Sequence, residues 1–416
     1  MTRRRRRPNT AGGSRRPHSM VSMPTDLCSP TDIRDGFEFL SRSASPTDLP
    51  GLLSATEPTT SAAALAVDGL VHLTEGWRYF SSALAAALCN SHSQATHFAY
   101  YAELRAAVSI FSGFGIRIFN TSHSYLSSSG VISTPQWSGV QTHKVVWDLW
   151  TLWCTSPSAE SLFLDQLKIL PSVTMRDLKK AAVTIAAPPV LRSWAIDLSL
   201  SHEKHSRNVA SYEARLSREP LKGMTPGDVE FIRQLWLLKE PTGHGLRFEQ
   251  ELARYWVVKQ MNSIDPHDRV EWKNLFLKEI ERDTGTSRST LDSFFDDSTP
   301  PSPILDSALD GQTGHQNMIA RAFFLLRLAT LVPNDAFSRF PTTQAKDWLI
   351  DWLSNVGLCD KSLGLPPADK WADFEHLGQI QPAQQPLPAS LFEVDRASDT
   401  HLLCRADAVL AWSCNL

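Results

Sequence analysis

Cysteine is scarce in this chain, and its few cysteines do not form motifs. Six cysteines are dispersed over 416 residues, and no two of them have the Cys-x-x-Cys spacing. Zinc ribbons and disulfide frameworks need closely spaced or regularly paired cysteines, so the sequence argues against both. This pattern fits a reducing compartment, and we expect the protein to be cytoplasmic.

Long apolar runs and an excess of one charge are absent as well. No run approaches the roughly 18 residues needed to cross a bilayer, so we expect no membrane association. The formal net charge is −3, which gives no global signal for nucleic acid, and any such contact must come from a local patch.

Signature motifs for cofactors and metals are missing too. The chain has no Walker loop, Gly-x-Gly-x-x-Gly, Gly-x-Ser-x-Gly or His-Glu-x-x-His motif. His244 and Glu249 lie in a glycine-rich turn without a third ligand nearby in the sequence. We therefore predict no metal site and no cofactor.

The first 60 residues are predicted to be a disordered tail. Arginine fills positions 3–7, and Ser, Thr and Pro dominate the rest of this segment. No apolar stretch comes after the arginines, which argues against a signal peptide. The arginines are either a nucleic-acid-binding arm or sequence upstream of a start at Met20 or Met23. We favour the second interpretation, because nothing else near the tail supports binding.

Apolar periodicity predicts a mainly α fold of helical bundle domains. Residues 97–111 are predicted to form a helix with one apolar face, comprising Phe98, Tyr101, Leu104, Val108 and Phe111. A second helix begins at Thr142 with a buried stripe, comprising Val146, Leu149, Trp150 and Trp153. Between them Gly113 and Gly115 break the first helix, and a small β-hairpin is predicted near 113–135.

The rest of the chain is also predicted to be helical. Asp228 has the position of a helix N-cap, the most apolar helix covers 316–331, and a final helix covers 401–412. The Ser-, Asp- and Pro-rich segment 292–303 is the best candidate for a domain boundary. It would separate a helical domain at 61–291 from a C-terminal helical domain at 304–416.

Three polar clusters are candidates for chemistry or for nucleic-acid binding. In the first, Arg117 and His123 are close in sequence, but an extended strand would place them roughly 20 Å apart unless the chain turns back at 120–122. They are candidate nucleic-acid contacts. The alternative is that His123 has a structural role at the end of a hairpin.

The second cluster lies in segment 202–212. On a helix, His205, Asn208 and Tyr212 share a face, and Glu203 pairs with Arg207. This cluster is either part of a catalytic site or an exposed helix face with one ordinary salt bridge.

The third cluster lies at the start of the most apolar helix. Asn317 and Arg321 share a face, and Arg327 comes further along the same helix. Arginines in so apolar a helix need partners. Pairing with carboxylates of neighbouring helices is the simpler interpretation, and a phosphate-binding groove is the alternative.

Short motifs in this chain together resemble a known group of bacterial proteins. The motifs are Tyr100-Tyr101-Ala102-Glu103-Leu104-Arg105, the step from Phe119-Asn120 to His123, Thr142-His143 with Trp147, and Arg207-Asn208 with Ser211-Tyr212. They resemble bacterial proteins with HEPN-like helical cores, which are found among antiphage defence genes. The resemblance covers about residues 80–215.

The resemblance implies a helical bundle that is often dimeric and, in active members, cleaves RNA without a metal. By this resemblance the catalytic candidates are Arg207, His205, Asn208, Tyr212 and His143. Tyr212 occupies the place where the family pattern has a histidine, which puts catalysis in doubt more than the fold.

Two functions are expected on these grounds. The first is a HEPN-like ribonuclease of a defence system, acting as a homo-oligomer or within a multi-protein complex. The second is a non-catalytic helical subunit that binds a partner protein or nucleic acid in such a complex. An arginine–histidine pair in contact across a bundle or dimer would favour the first function. A large exposed apolar or aromatic patch, with the polar clusters far apart, would favour the second.

Overall fold

A computed structural model gives the fold of most of the chain, and it is mainly helical, as predicted. The structure describes residues 21–29, 33–38, 58–182, 191, 225–296, 300–309, 314–338, 344–355, 357, 367–380 and 399–413. No helix in these ranges is both long enough and apolar enough to cross a membrane.

Three long helices form the centre of the molecule. α1 (Pro58–Leu88) and α2 (His92–Gly113) are joined by a three-residue turn and lie antiparallel. α11 (His315–Ser338) packs against both of them. Small residues allow this close approach, since a Cβ atom added at Gly76 of α1 would lie 2.7 Å from the Leu326 side chain of α11.

A small three-stranded antiparallel sheet comes after α2, where the hairpin was predicted. Its strands are β1 (Ile116–Arg117), β2 (Ser124–Leu126) and β3 (Ile132–Ser133), in the order β1-β2-β3. The chain does turn back after β1, since Ser122 N donates to Phe119 O at 2.8 Å and Asn120 has a positive φ of 48°.

The next elements are helices and a hairpin, of which the first two helices pack onto α2 and α11 respectively. They are α3 (Thr142–Trp153), α4 (Pro157–Asp165), the hairpin of β4 (Lys168–Leu170) and β5 (Val173–Thr174), and α5 (Met175–Ala182). The predicted stripe of α3 is confirmed, since Val146, Leu149, Trp150 and Trp153 are all buried.

The regular elements in the described parts of the second half of the chain are all helices. Its α-helices before α11 are α6 (Pro226–Leu237), α7 (Arg247–Asn262), α8 (Arg269–Thr284), α9 (Arg288–Phe294) and α10 (Pro303–Leu309). After α11 come α12 (Gln344–Asn355), α13 (Pro367–Ala372), α14 (Asp399–Leu402) and α15 (Leu410–Ser413), with 3₁₀ turns at Glu375–Gln379 and Ala406–Val409.

Two local predictions differ from the structure. The final helix predicted over 401–412 is instead divided into α14, a 3₁₀ turn and α15. The N-cap of α6 is Thr225 and not Asp228, because Thr225 Oγ1 accepts the backbone N–H of Asp228 at 3.1 Å. Asp228 is therefore the third residue of the helix and faces inwards.

Part of the predicted disordered tail is ordered. Val21 and Cys28 are buried, Cys28 N donates to Leu126 O at 2.8 Å, and Trp137 Nε1 donates to Ser22 O at 2.8 Å. A helical turn at 33–38 also buries its apolar side chains. The few apolar residues of these segments pack on a surface that the rest of the fold forms. Composition alone does not reveal such a surface. The arginines at positions 3–7 lie outside the described residues.

The hydrophobic core is continuous across the predicted domain boundary. Residues of α10 and α11 belong to the same buried cluster as those of α1 and α2. The helices on the two sides of segment 292–303 therefore share one core.

Candidate functional site

The seam between α1 and α2 carries a group of polar and aromatic side chains. Helical spacing places one stripe of each helix along this seam. The α1 stripe consists of Asp68, His72, Glu75 and Tyr79, and the α2 stripe consists of Phe98, Tyr101, Arg105 and Ser112. Together with Arg117 of β1 and with His97 and His143, these residues are called the α1–α2 seam below.

One half of the seam is a network of charged groups. Asp68 Oδ2 accepts from Ser112 Oγ at 2.8 Å, and Asp68 Oδ1 lies 3.4 Å from Arg117 Nε. Arg105 Nε lies 3.0 Å from Glu75 Oε2. Two guanidinium groups and two carboxylates balance, so this half of the seam has no net charge when its histidine is neutral.

His72 lies at the centre of this network. Arg105 Nη1 is 2.9 Å from His72 Nδ1. A guanidinium can only donate, so Nδ1 accepts and the ring proton is on Nε2, which lies 3.8 Å from Asp68 Oδ2. Burial lowers the pKa of His72 below its usual value, and Arg105 lowers it further, while Asp68 acts in the opposite direction. His72 is therefore a neutral imidazole at pH 7.

The other half of the seam is a continuous set of aromatic rings. The rings of Tyr79 and Tyr101 stack with centroids 5.4 Å apart, and Phe98 lies 6.4 Å from Tyr79. His97 lies 4.9 Å from Tyr101, and His143 lies 6.0 Å from it. All five side chains are half-buried, so part of each one faces solvent.

His143, one of the predicted catalytic residues, is anchored at the aromatic half. Its Nδ1 is 2.8 Å from the hydroxyl of the buried Tyr100. Trp147 Nε1 donates to the same hydroxyl at 3.3 Å, which leaves the tyrosine hydrogen for His143 Nδ1. Two motifs on which the resemblance rests, Tyr100-Tyr101 and Thr142-His143, therefore meet in space.

Arg117 and His123 have different surroundings, although the chain turns back between them. Arg117 points towards Asp68 and lies over the exposed ring of Phe119, with a centroid distance of 5.6 Å. His123 is buried; its Nε2 is 2.7 Å from Val140 O and its ring is 5.4 Å from Trp137. Arg117 thus belongs to the seam, while the contacts of His123 are those of the structural alternative.

The two arginines of α11 are buried, and the half-buried Asn317, predicted with Arg321 to contact nucleic acid, bonds to a backbone carbonyl. Arg321 is fully buried with its Nε 3.4 Å from Glu103 Oε1, and Asn317 Nδ2 donates to Ser307 O at 2.9 Å. A buried guanidinium paired with a carboxylate is not accessible to a phosphate. Arg327 is likewise buried and paired with Glu249. These contacts match the carboxylate-pairing alternative.

The remaining catalytic candidates cannot be placed. Arg207, His205, Asn208 and Tyr212 lie outside the described residues.

Sequence reasoning missed the α1 stripe, although a signal was present. Asp68, His72, Glu75 and Tyr79 are separated by four, three and four residues, which is the spacing of one helix face.

A second polar group lies away from the seam. His92 at the start of α2, Asp228 near the start of α6 and His315 at the start of α11 place their donor atoms within 4.8 Å of one another. No two of these residues are close in sequence, so no motif could indicate the group. It is the one set of metal-type donors found in the described residues.

Comparisons with known proteins do not assign a function to either group of side chains. No family model matches the chain, and neither the curated proteins nor the solved structures give a match.

Proposed function

We propose that this protein binds single-stranded RNA along the α1–α2 seam. The observation that carries this proposal is the set of half-exposed rings, from Phe98 and Tyr101 through Tyr79, which continues into Arg105. Proteins recognise single-stranded RNA by stacking its bases on aromatic side chains, while arginines contact its phosphates. The seam offers both kinds of group in adjacent positions.

The charges of the seam predict that the affinity for RNA depends only weakly on salt concentration. Arg105 and Arg117 are the two cations of the seam, and each already faces a carboxylate. Binding through at most two phosphates gives a slope of log K against log salt of about −1.4 or shallower. Affinity should therefore come mainly from stacking.

RNA cleavage is a second candidate function, favoured by the contact between Arg105 and His72. When Arg105 turns from His72 Nδ1 to a phosphate of the bound RNA, Nδ1 becomes a free base. The neutral imidazole then removes the proton of a 2′-hydroxyl, and the 2′-oxygen forms a bond to phosphorus while the bond to the 5′-oxygen breaks. The leaving 5′-oxygen takes a proton from water, and the His72 imidazolium returns its proton to solvent, so the protons balance. No metal takes part in these steps.

The wider role that we propose rests on the resemblance. HEPN-like proteins are found among antiphage defence genes, so we place the protein in such a system, as a homo-oligomer or a subunit of a defence complex. If the seam binds RNA without cleaving it, the protein is a non-catalytic RNA-binding subunit of that system.

Fluorescence anisotropy with a labelled single-stranded RNA tests binding. Tyr79→Leu and Tyr101→Leu keep an apolar side chain but remove the stacking surface, and each should weaken binding about 5- to 150-fold. Trp272→Leu is the matched control, since Trp272 is a half-buried ring stacked on Phe276 of α8, outside the seam. Affinities of both tyrosine variants equal to that of the control would overturn the proposal.

Cleavage of the same RNA in the presence of EDTA tests the second function. His72→Asn retains an acceptor for Arg105 but cannot take up a proton, so cleavage should stop while binding persists. No cleavage by the wild type would leave RNA binding alone. Cleavage that survives His72→Asn but is lost in both Arg207→Ala and His205→Ala would place the chemistry in segment 202–212 instead.

A further inference from the structure

Three side chains from distant parts of the chain converge on one point. His92 Nε2 is 3.1 Å from Asp228 Oδ2, and His315 Nε2 is 2.8 Å from Asp228 Oδ1. Asp228 is buried, the side chain of His315 is 17% exposed and that of His92 is 43% exposed. The group thus has a buried base and a side open to solvent.

The carboxylate at the base is fixed by two further donors. Thr225 Oγ1 donates to Asp228 Oδ2 at 2.7 Å, and Gln316 Nε2 donates to Oδ1 at 3.1 Å. The carboxylate is therefore held in one orientation, as a metal-binding carboxylate is by its outer partners.

We propose that His92, Asp228 and His315 form a binding site for a divalent transition-metal ion of the Zn²⁺ class. Two imidazole nitrogens and one carboxylate oxygen are a donor set that suits Zn²⁺ and its neighbours rather than Mg²⁺ or Ca²⁺. In a tetrahedral site with bonds of about 2.05 Å, donor atoms are separated by about 3.3 Å. The two His–Asp distances, 3.1 Å to Oδ2 and 2.8 Å to Oδ1 of Asp228, are both shorter than that separation, so the groups must move apart slightly when an ion binds.

One ring must turn before both histidines can bind the same ion. The rings of His92 and His315 stack with centroids 3.8 Å apart and an angle of 7° between their planes. A ring nitrogen binds a metal in the plane of its ring, and two parallel planes cannot share one ion. His92 is the more exposed of the two and has room to turn. Metal binding also requires each neutral ring to carry its proton on Nδ1 instead of Nε2.

The surroundings make Asp228 essential to this site. Three helices of eight or more residues begin here, and the positive end of each helix dipole opposes a cation. The charge of Asp228 offsets this effect, so Asp228→Asn should remove metal binding although it is nearly isosteric. The exposed side near His92 leaves a coordination position for water, as in zinc sites that are not fully closed.

Cobalt titration of the EDTA-treated full chain tests the site. Co²⁺ bound to nitrogen and oxygen donors gives visible absorption bands, and we expect one equivalent to bind and then be displaced by Zn²⁺. His92→Gln should weaken binding by more than about 10-fold, and Asp228→Asn should remove the bands. His92 is half-exposed, so its variant should fold normally, which the thermal midpoint checks.

The chain offers a matched control in His376→Gln. His376 Nε2 is 2.8 Å from Asp399 Oδ1, which makes a half-exposed His–Asp pair without a third donor in the described residues. This variant should bind Co²⁺ like the wild type. Absence of Co²⁺ bands in the wild type, or equal binding by wild type and His92→Gln, would show that the group is only a hydrogen-bonded clamp between three helices. RNA cleavage is measured in EDTA, and the tyrosine variants that test RNA binding lie outside this group, so either proposal can fail independently of the other.

Discussion

The ammonium group of Lys239 lies 4.0 Å from the centre of the Trp236 ring, and the side chain is completely buried. The Phe80 ring lies on another side, at 5.5 Å. No hydrogen bond to Lys239 Nζ exists among the described residues. Burial lowers the pKa of Lys239 to about 7, although Asp407 acts in the opposite direction. Attraction to the ring face helps to hold the charged form.

Lys239→Met should stabilise the protein, and the effect should depend on pH. Because the pKa is about 7 folded and 10.5 unfolded, the unfolded chain binds more protons between those values, and wild-type stability rises with pH across them. The free-energy cost of burying the charged amine of Lys239 is largest below pH 7, on the order of 5 kcal/mol. Urea denaturation at pH 7 and pH 10 should show a large gain at pH 7 and a small one at pH 10.

Lys259→Met is the control for this experiment. Lys259 also lies over an aromatic ring, 4.8 Å from the centre of Tyr255, but its side chain is 55% exposed. Its removal should change stability little at either pH. A destabilised Lys239→Met variant would mean that the ring contact outweighs the desolvation of the amine.

Removal of only one residue of the buried pair Arg321 and Glu103 should destabilise the protein strongly. Arg321→Ala leaves a carboxylate buried without its guanidinium and should cost about 3–5 kcal/mol. The double variant Arg321→Met, Glu103→Met should recover most of that loss. The exposed pair of Arg282 and Glu279 provides the comparison, and Arg282→Ala should change stability little. A stable Arg321→Ala variant with weakened RNA binding would restore the phosphate-groove interpretation.

Trp150→Ala should cost about 3–5 kcal/mol of unfolding free energy. The ring is 1% exposed, and its Nε1 donates to Leu191 O at 3.2 Å. Leu152→Ala, on the exposed side of the same helix, should be close to neutral. Equal effects of the two changes in chemical denaturation would contradict the burial of the stripe.

Deletion of residues 2–29 should lower the thermal midpoint by several degrees. It removes the buried Val21 and Cys28, and also the carbonyl of Ser22 that accepts from Trp137. Deletion of residues 2–19 keeps all of these contacts and should leave the midpoint unchanged. Identical midpoints for the two deletions would show that the docked segment adds no stability.

Helical periodicity predicted the elements better than it predicted their faces. The prediction for α3 was correct because that helix buries one face against its neighbours and leaves the other exposed. For α2, the predicted face included Phe98 and Tyr101, which are half-exposed, while Ala99, Ala102 and Ala106 are buried. α1 and α11 pack on the small residues of α2, so the large rings are left at its edge. The helices pack closely here because the residues between them are small. A hydrophobicity pattern contains no information about side-chain size.

The candidate sites differ in how far sequence could reveal them. The α1 stripe of the seam has a helical spacing that can be read directly. Asp228 is separated by 136 residues from His92 and by 87 residues from His315, so only tertiary packing brings them together. The incorrect N-cap assignment of Asp228 has the same origin, because Thr225 satisfies the helix end and Asp228 faces partners elsewhere.

The buried pairs of α11 have a consequence for biosynthesis. Glu103 leaves the ribosome 218 residues before Arg321, and Glu249 precedes Arg327 by 78 residues. At about 5–20 residues per second, Glu103 waits on the order of 10–40 s for its partner. During that time the α1–α2 hairpin cannot bury an ionised Glu103 at low cost. The nascent chain therefore stays incompletely packed around Glu103 until α11 emerges.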